Sequence, residues 1–254
     1  MTQGLRGNRK HAIGFILISL CLIGMFVFYH FGRSVWGPVY RKIVGRQTVE
    51  GVLQRYGEDV QARLKPAFDQ AHVSWPPQSV TLLAIKDART LELWAQSDQS
   101  CRLIRTYPIL ATSGHVGPKL REGDRQVPEG IYAITTLNPN SSYHLSMKLD
   151  YPNAFDLKHA QQEGRTDPGS NIFIHGKDRS IGCLAMGDHA IEELFVLTAT
   201  IGIEHVQVAI APTDPRHDDW TNCVLLKDPP LWLDELYAQL SDFFQRYPQP
   251  QSNE

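Results

Sequence analysis

Twenty consecutive residues near the N-terminus, Ala12–Phe31, contain no Asp, Glu, Lys or Arg. A helix of about that length spans the hydrocarbon core of a bilayer. Arg6, Arg9 and Lys10 precede it, but the apolar run exceeds the usual signal-peptide core and no small-x-small cleavage site follows. The segment therefore reads as an uncleaved anchor, with a cleaved signal peptide as the alternative. Cys21 follows Leu20 rather than a small residue, so lipidation is not expected. Arg33, Arg41, Lys42 and Arg46 nearly balance the basic residues on the near side and leave orientation undecided by charge. A short N-terminus before a long C-terminal domain suggests an N-in, C-out arrangement.

The remaining chain, roughly 200 residues, suffices for one large domain, or one domain with a small helical subdomain. Lys and Arg number 25 against 27 Asp and Glu, so the chain is not built to neutralise phosphates and nucleic acid is not an expected partner. Cys21, Cys101, Cys183 and Cys223 include no CxxC pair, which excludes a zinc ribbon or a thioredoxin-type motif. In an oxidising compartment a Cys101–Cys223 disulfide would leave Cys183 odd, as a reactive thiol would be; three unrelated small core residues are the alternative.

Val49, Val52, Leu53, Tyr56, Val60, Leu64 and Phe68 recur at helical spacing and predict an amphipathic helix over 48–71, stopped by Trp75-Pro76-Pro77. Strands are expected at Val80–Lys86, Thr90–Gln96, Arg102–Leu110, Ile131–Thr136 and Tyr143–Leu149, the first two forming a hairpin across Asp87-Ala88-Arg89. Asp150–Ser170 reads as a long irregular segment of the kind that forms lids or binding loops. A strand over Asn171–His175, a helix starting at Asp188 with Asp188 as its cap, and a strand through Val206, Val208 and Ile210 follow. A final amphipathic helix carries Leu233, Leu236, Tyr237, Leu240, Phe243 and Phe244 and ends at Pro248. The fold class is α+β: a mostly antiparallel, β-rich domain with peripheral helices, preceded by one N-terminal transmembrane helix. The expected divisions are an N-terminal tip and anchor at 1–31, a juxtamembrane linker and helix at 32–78, a catalytic domain at 79–212, and a C-terminal loop and helix at 213–254.

Chemistry concentrates in the segment from Asn171 to Asp188. An apolar strand ends in His175, a polar turn follows, and Gly182-Cys183 precedes a helix start. A nearby imidazole can take the proton of a thiol, and a helix N-terminus would lower the thiol pKa. Gly182 clears space for a carbonyl to approach backbone N–H groups able to hold an oxyanion. On residues alone, a strand-end histidine and an inert small cysteine remain the competing reading.

The order His175-Gly176, Ser180, Gly182-Cys183 resembles the active-site signature of the YkuD-type L,D-transpeptidase catalytic domain, and SIGCLAM with the short spacing from Gly176 to Ser180 most resembles its YafK-like murein branch. Gly123-Asp-Arg-Gln-Val-Pro128-Glu-Gly130-Ile-Tyr132 resembles the family's TPxGxYxI strand. The run from Asn138 through Tyr143-His144 to Ser146, followed by Tyr151-Pro-Asn153, resembles the branch's substrate-side region. The likeness spans about residues 79–212. It implies Cys183 as nucleophile, His175 as its base, Gly176 as the carbonyl that orients the imidazole, and Ser180 and Gly182 as shapers of the turn. It further implies attack on the diaminopimelate carbonyl of a peptidoglycan stem peptide, a thioester on Cys183, and no metal or organic cofactor. The expected partners are stem peptides and, through the anchor, the membrane. Water, a second stem peptide and a wall-attached lipoprotein lysine stay open as the resolving nucleophile.

Tyr143, His144 and Arg179 are the substrate-side candidates, although adjacent strand residues point to opposite faces, so Tyr143 and His144 cannot both line one pocket. Two departures stand out. Three residues separate Gly176 from Ser180 where most members carry a longer insertion, and Leu184-Ala185-Met186 follows the cysteine where an Arg is common. They tilt the expectation toward hydrolysis or release of an attached group over cross-linking. From another functional class, a catalytically silent peptidoglycan-binding adaptor would keep the fold without the chemistry; a metal-dependent peptidase lacks any HExxH-like cluster.

Overall fold

Alternating side chains on the first strand supply both faces of the central sheet. The computed structural model describes residues 19–21, 23–28, 45–97, 100–217 and 228–248. In β1 (Val80–Ile85), Val80, Leu82 and Ala84 enter one core, and Leu83 and Ile85 enter a second core on the opposite face. β2 (Thr90–Gln96) pairs antiparallel with β1 from Ile85↔Thr90 onward, forming the expected hairpin, and β3 (Cys101–Pro108) pairs antiparallel with β2. β4 (Gly130–Ser141), β5 (His144–Leu149), β6 (Phe173–His175), β7 (Leu184–Ala185) and β8 (Val206–Ala211) complete one sheet among the described residues, in the order β3-β2-β1-β8-β4-β5-β6-β7. The pairing is antiparallel except at β1–β8 and β6–β7, which are parallel.

β4 runs well past the expected Thr136. Gly130–Ala133 pair with β8, whereas Ile134–Ser141 pair with β5 through two register shifts. Each shift bends the strand and strengthens its twist. The curl brings the sheet's two ends together: Leu110, just past β3, donates its N–H to the Ala185 carbonyl of β7 at 2.8 Å, and Ala185 donates to the Ala111 carbonyl at 3.2 Å.

Helix α1 (Val49–Gln70) begins at Thr48, whose Oγ1 accepts the Gly51 N–H at 3.0 Å. Its Val52, Val60, Leu64 and Phe68 are fully buried in the first core, each worth about 1.5–3 kcal/mol of burial. The helix thus belongs to the folded unit that carries the sheet. α3 (Asp188–Ile201) packs beside it, with Ile191, Leu194, Phe195 and Thr198 buried as the periodicity predicts. Asp188 does not cap its own helix. Gly187 holds that position at φ +79°, and Asp188 Oδ1 instead accepts the Lys177 N–H at 2.8 Å, pinning the turn after β6. Buried Glu193 of α3 gathers Arg63 of α1 at 3.1 Å and Arg105 and Tyr107 of β3 at 2.8 Å each. Donors on every side are what make a buried carboxylate tolerable.

The Asp150–Ser170 segment is not irregular. It contains α2 (Ala154–Gln162), started by a capping box in which Asn153 Oδ1 accepts the Phe155 and Asp156 N–H groups and Asp156 Oδ2 accepts the Asn153 N–H. α4 (Leu233–Phe244) covers the second core with the predicted apolar face, and Tyr237 donates to Glu129 Oε2 at 3.0 Å while Lys86 pairs with Glu129 Oε1 at 2.8 Å. Internal contacts divide the chain into residues 1–46 and 47–254. Most of Ala12–Phe31 lies outside the described residues; residues 19–21 and 23–28 are helical and exposed, and among the described residues no helix is long and apolar enough to cross a membrane. Cys101, at the start of β3, is a free thiol, and Cys223 lies outside the described residues.

Candidate active site

Two short parallel strands build the site. β6 and β7 pair at Ile174↔Leu184 and His175↔Ala185, so one step back in register sets Phe173 beside Cys183. Strand side chains alternate. Ile174 and Leu184, both with zero exposure, fill the first core, while Phe173, His175 and Cys183 turn to the other side and line a common cavity of about 280 Å³. The sequence placed Cys183 just before a helix N-terminus; β7 intervenes instead, and α3 begins five residues after the cysteine.

His175 is 3% exposed. Its Nδ1 lies 2.7 Å from the Gly176 carbonyl, and because a carbonyl only accepts, Nδ1 carries the proton and Nε2 keeps its lone pair. Glycine is required at 176 by space: a Cβ there would lie 2.7 Å from both the Tyr143 carbonyl oxygen and Asp188 Oδ1. Burial pulls the His175 pKa below the ordinary 6.5, against the Gly176 contact, which favours the cation.

Cys183 Sγ lies 3.9 Å from the Asn171 carbonyl, and no hydrogen bond joins it to His175. Burial raises the thiol pKa, with the Phe173 backbone contact and the Lys119 charge opposing it. The expected lowered thiol is therefore not what the resting site holds. Both members of the pair are neutral near pH 7.

The turn before Cys183 is closed by hydroxyls. Ser180 Oγ accepts the Cys183 N–H at 2.8 Å and donates to the Cys183 carbonyl at 2.5 Å. Gly182, at φ +102°, donates its N–H to Ser113 Oγ at 2.5 Å. The N–H groups of Gly182 and Cys183, expected to be open to an oxyanion, are thus both occupied at rest.

Tyr143 and His144 point to opposite sides. The Tyr143 ring sits 4.5 Å from the His175 ring at a 38° tilt and lines the cavity. His144, at φ +72°, turns away to Glu192, its Nε2 2.9 Å from Oε1, and meets the Tyr56 ring edge-on at 5.8 Å. Lys177 steadies this hairpin by donating to the Ser142 carbonyl at 2.7 Å. Arg179 and Ser180 also line the cavity, whereas no residue of Asp150–Ser170 does, so that segment is not a wall of the site. Among the described residues no group of three or more His, Cys, Asp or Glu is arranged to hold a metal ion.

Sequence reasoning missed Ser113 and, among the residues lining the cavity, Phe173 and Ile181. Phe173 was within reach, since alternation from His175 puts it on the cysteine's face. Ser113 gave no signal, because its contact with Gly182 crosses 69 residues of sequence.

Cys183 and an oriented His175 thus share one face of a curled sheet and line one cavity. A family profile described as the YkuD L,D-transpeptidase catalytic domain matches residues 80–208, and the chain belongs to that family. It is 36% identical over 138 residues to the Escherichia coli (strain K12) protein named "Putative L,D-transpeptidase YafK", the match covering 52% of this chain and 54% of that one. The chain thus spans about half the length of the curated relatives it matches. Among solved structures, it is similar to the helical cell shape determining protein Pgp2 from Campylobacter jejuni, with 16% identity, a TM-score of 0.44, and 67% and 70% of the two chains covered. It is also similar to L,D-transpeptidase 1 from Mycobacterium tuberculosis, with 13% identity, a TM-score of 0.31, and 52% and 62% covered.

A neutral resting pair has a kinetic signature. Alkylation of Cys183 by iodoacetamide, followed by mass on the peptide that contains it, is expected to stay slow through neutral pH and climb only at alkaline pH. A preformed thiolate–imidazolium pair would instead give a fast plateau between about pH 6 and 8, and finding that plateau would contradict the neutral assignment.

Proposed function

We propose that this chain is a cysteine acyl-transfer enzyme acting on peptidoglycan stem peptides at the diaminopimelate carbonyl. The observation that carries the reading is the common facing of Cys183 and His175 with the imidazole Nε2 left unspent. The thiol proton passes to Nε2 as Sγ adds to the carbonyl carbon, giving a tetrahedral oxyanion. Collapse breaks the amide bond, His175 returns the proton to the departing amine, and a thioester stays on Cys183. Water or an amine then adds to the thioester carbonyl, with His175 taking the incoming proton, and expels the thiolate, which is reprotonated. The depressed His175 pKa keeps the base unprotonated to lower pH than a free imidazole would be, so activity falls only as pH drops below that lowered value.

On the substrate side, Tyr143 offers a ring face beside the base, and Arg179 an exposed guanidinium at the cavity rim for a stem-peptide carboxylate. Hydrolysis or release of an attached group is favoured over cross-linking, because the cavity is open and the 150–170 segment adds no wall to it. Transfer must hold an acceptor amine in line against roughly 55 M water, which needs an oriented second subsite. A lipoprotein lysine or a second stem peptide remains the alternative acceptor. The domain is proposed to sit outside the cytoplasmic membrane of the cell, held by Ala12–Phe31 as a single span, since the substrate lies on that side.

Two measurements test this reading. Given a stem tetrapeptide and excess acceptor amine, the chain should yield mainly free acid, Cys183→Ala should yield no product, and His175→Ala should be slower by roughly 10²–10⁴-fold. Full turnover by Cys183→Ala would remove the assignment, and a dominant cross-linked product would reverse the hydrolytic preference. A C-terminal fusion to a reporter active only outside the cytoplasm should be active; a cytoplasmic C-terminus would contradict both location and substrate.

A further inference from the structure

The residue that immobilises the nucleophile's neighbour lies far away in sequence. The isolated pair Ala111↔Ala185 is antiparallel, and two residues further along this register Ser113 falls opposite Cys183. The ladder here is Leu110 N–H to the Ala185 carbonyl, then Ala185 N–H to the Ala111 carbonyl. At its next step the Gly182 N–H is received by the Ser113 hydroxyl at 2.5 Å. Ser113 in turn donates to the Arg125 carbonyl at 2.8 Å.

That carbonyl is itself held in place. Asp124 accepts the Leu120, Arg121 and Gln126 N–H groups, and the Gln126 side chain donates to the His115 and Gly117 carbonyls. Ser113 therefore spends both its proton and a lone pair on a rigid loop and on Gly182. Glycine is the most permissive residue a chain can place beside a nucleophile, and at φ +102° nothing intrinsic fixes its peptide.

Ser180 differs. Its hydroxyl lines the cavity and bonds only to Cys183's own N–H and carbonyl, a local pairing that an arriving oxyanion can displace. The Cys183 N–H is then freed toward the substrate, provided that the Gly182 peptide does not turn with it.

Resting on the acyl-transfer reading above, we propose that Ser113 is a positioning residue for that reaction: by holding the Gly182 N–H it fixes the Ile181–Gly182 peptide from which the chain enters Cys183, so that the thiol meets a carbonyl with the Cys183 N–H beside the developing oxyanion. The role concerns the tetrahedral step and not the nucleophilicity of sulfur.

Two probes of Cys183 separate these. With p-nitrophenyl acetate, Sγ bonds to the acetyl carbon, p-nitrophenolate leaves with the bonding pair, and the thiol proton passes through His175 to solvent; an oxyanion forms on the way. With iodoacetamide, sulfur displaces iodide and no oxyanion forms. Both reactions are followed by mass on the peptide containing Cys183, in the full chain. Ser113→Val and Ser113→Thr match each other in shape, and only Ser113→Thr keeps the hydroxyl. Ser113→Val should slow acetylation by roughly tenfold or more, short of the ~10²–10³-fold lost with a direct oxyanion donor, while alkylation stays unchanged and Ser113→Thr retains acetylation. Acetylation of Ser113→Val at the wild-type rate, or alkylation falling as far as acetylation, would overturn the proposal. An unacetylated wild-type Cys183 would remove the acyl-transfer reading and this role with it.

Discussion

The site depends on two residues of parallel pairing, Ile174↔Leu184 and His175↔Ala185. Ile174 and Leu184 anchor the pair with fully buried side chains, and the two-residue period then leaves His175 and Cys183 no option but to share the opposite face. A slip of one residue would drive the thiol into the core and an aliphatic side chain into the cavity. The register is held from outside as well. β5 pairs with β6 on one side, the Leu110–Ala111 segment pairs with β7 on the other, and Asp188 ties the intervening turn at Lys177. The curl of β4 makes this possible, since only a bent sheet can bring the chain after β3 round to the far edge.

At rest the Cys183–His175 pair is held toward its neutral forms. Burial acts on both partners in the direction that disfavours charge, raising the thiol and lowering the imidazole. In the proposed reaction, reactivity is then coupled to substrate, the proton moving as the sulfur adds to a carbonyl. An open cavity above a standing thiolate would expose the cysteine to oxidation and alkylation, and a neutral thiol limits that exposure. Gly176 contributes twice, by a carbonyl that fixes the tautomer and by an absent Cβ that lets Asp188 and the Tyr143 backbone close in.

Much of this was legible beforehand. The apolar periods of α1, α3 and α4 and the β1–β2 hairpin follow from local spacing, and their burial obeys it. α2 was missed because only His159 and Ala160 of it are buried, which leaves almost no apolar stripe to read, although Asn153 and Asp156 spelled its capping box. Tyr143 and His144 do point apart as expected, but Tyr143 lies in the turn before β5 and His144 sits at φ +72°, so the turn and not strand alternation sets their directions. What the sequence could not convey is tertiary: a short β7 standing between Cys183 and the helix, and the hydroxyls of Ser180 and distant Ser113 occupying the N–H groups of Cys183 and Gly182. Burial, too, is a property of the packed chain, so the thiol shifts upward where local sequence suggested a shift downward.

In the proposed reaction Cys183 takes an acyl group from a stem peptide with His175 as the base. The most direct measurement is the intact mass of the chain quenched in acid during turnover of a stem tetrapeptide, followed by peptide mapping. A mass increase equal to the donor acyl group, located on the peptide containing Cys183 and absent in Cys183→Ala, is the predicted result. Turnover with no covalent adduct on Cys183, or an adduct on another residue, would contradict the account.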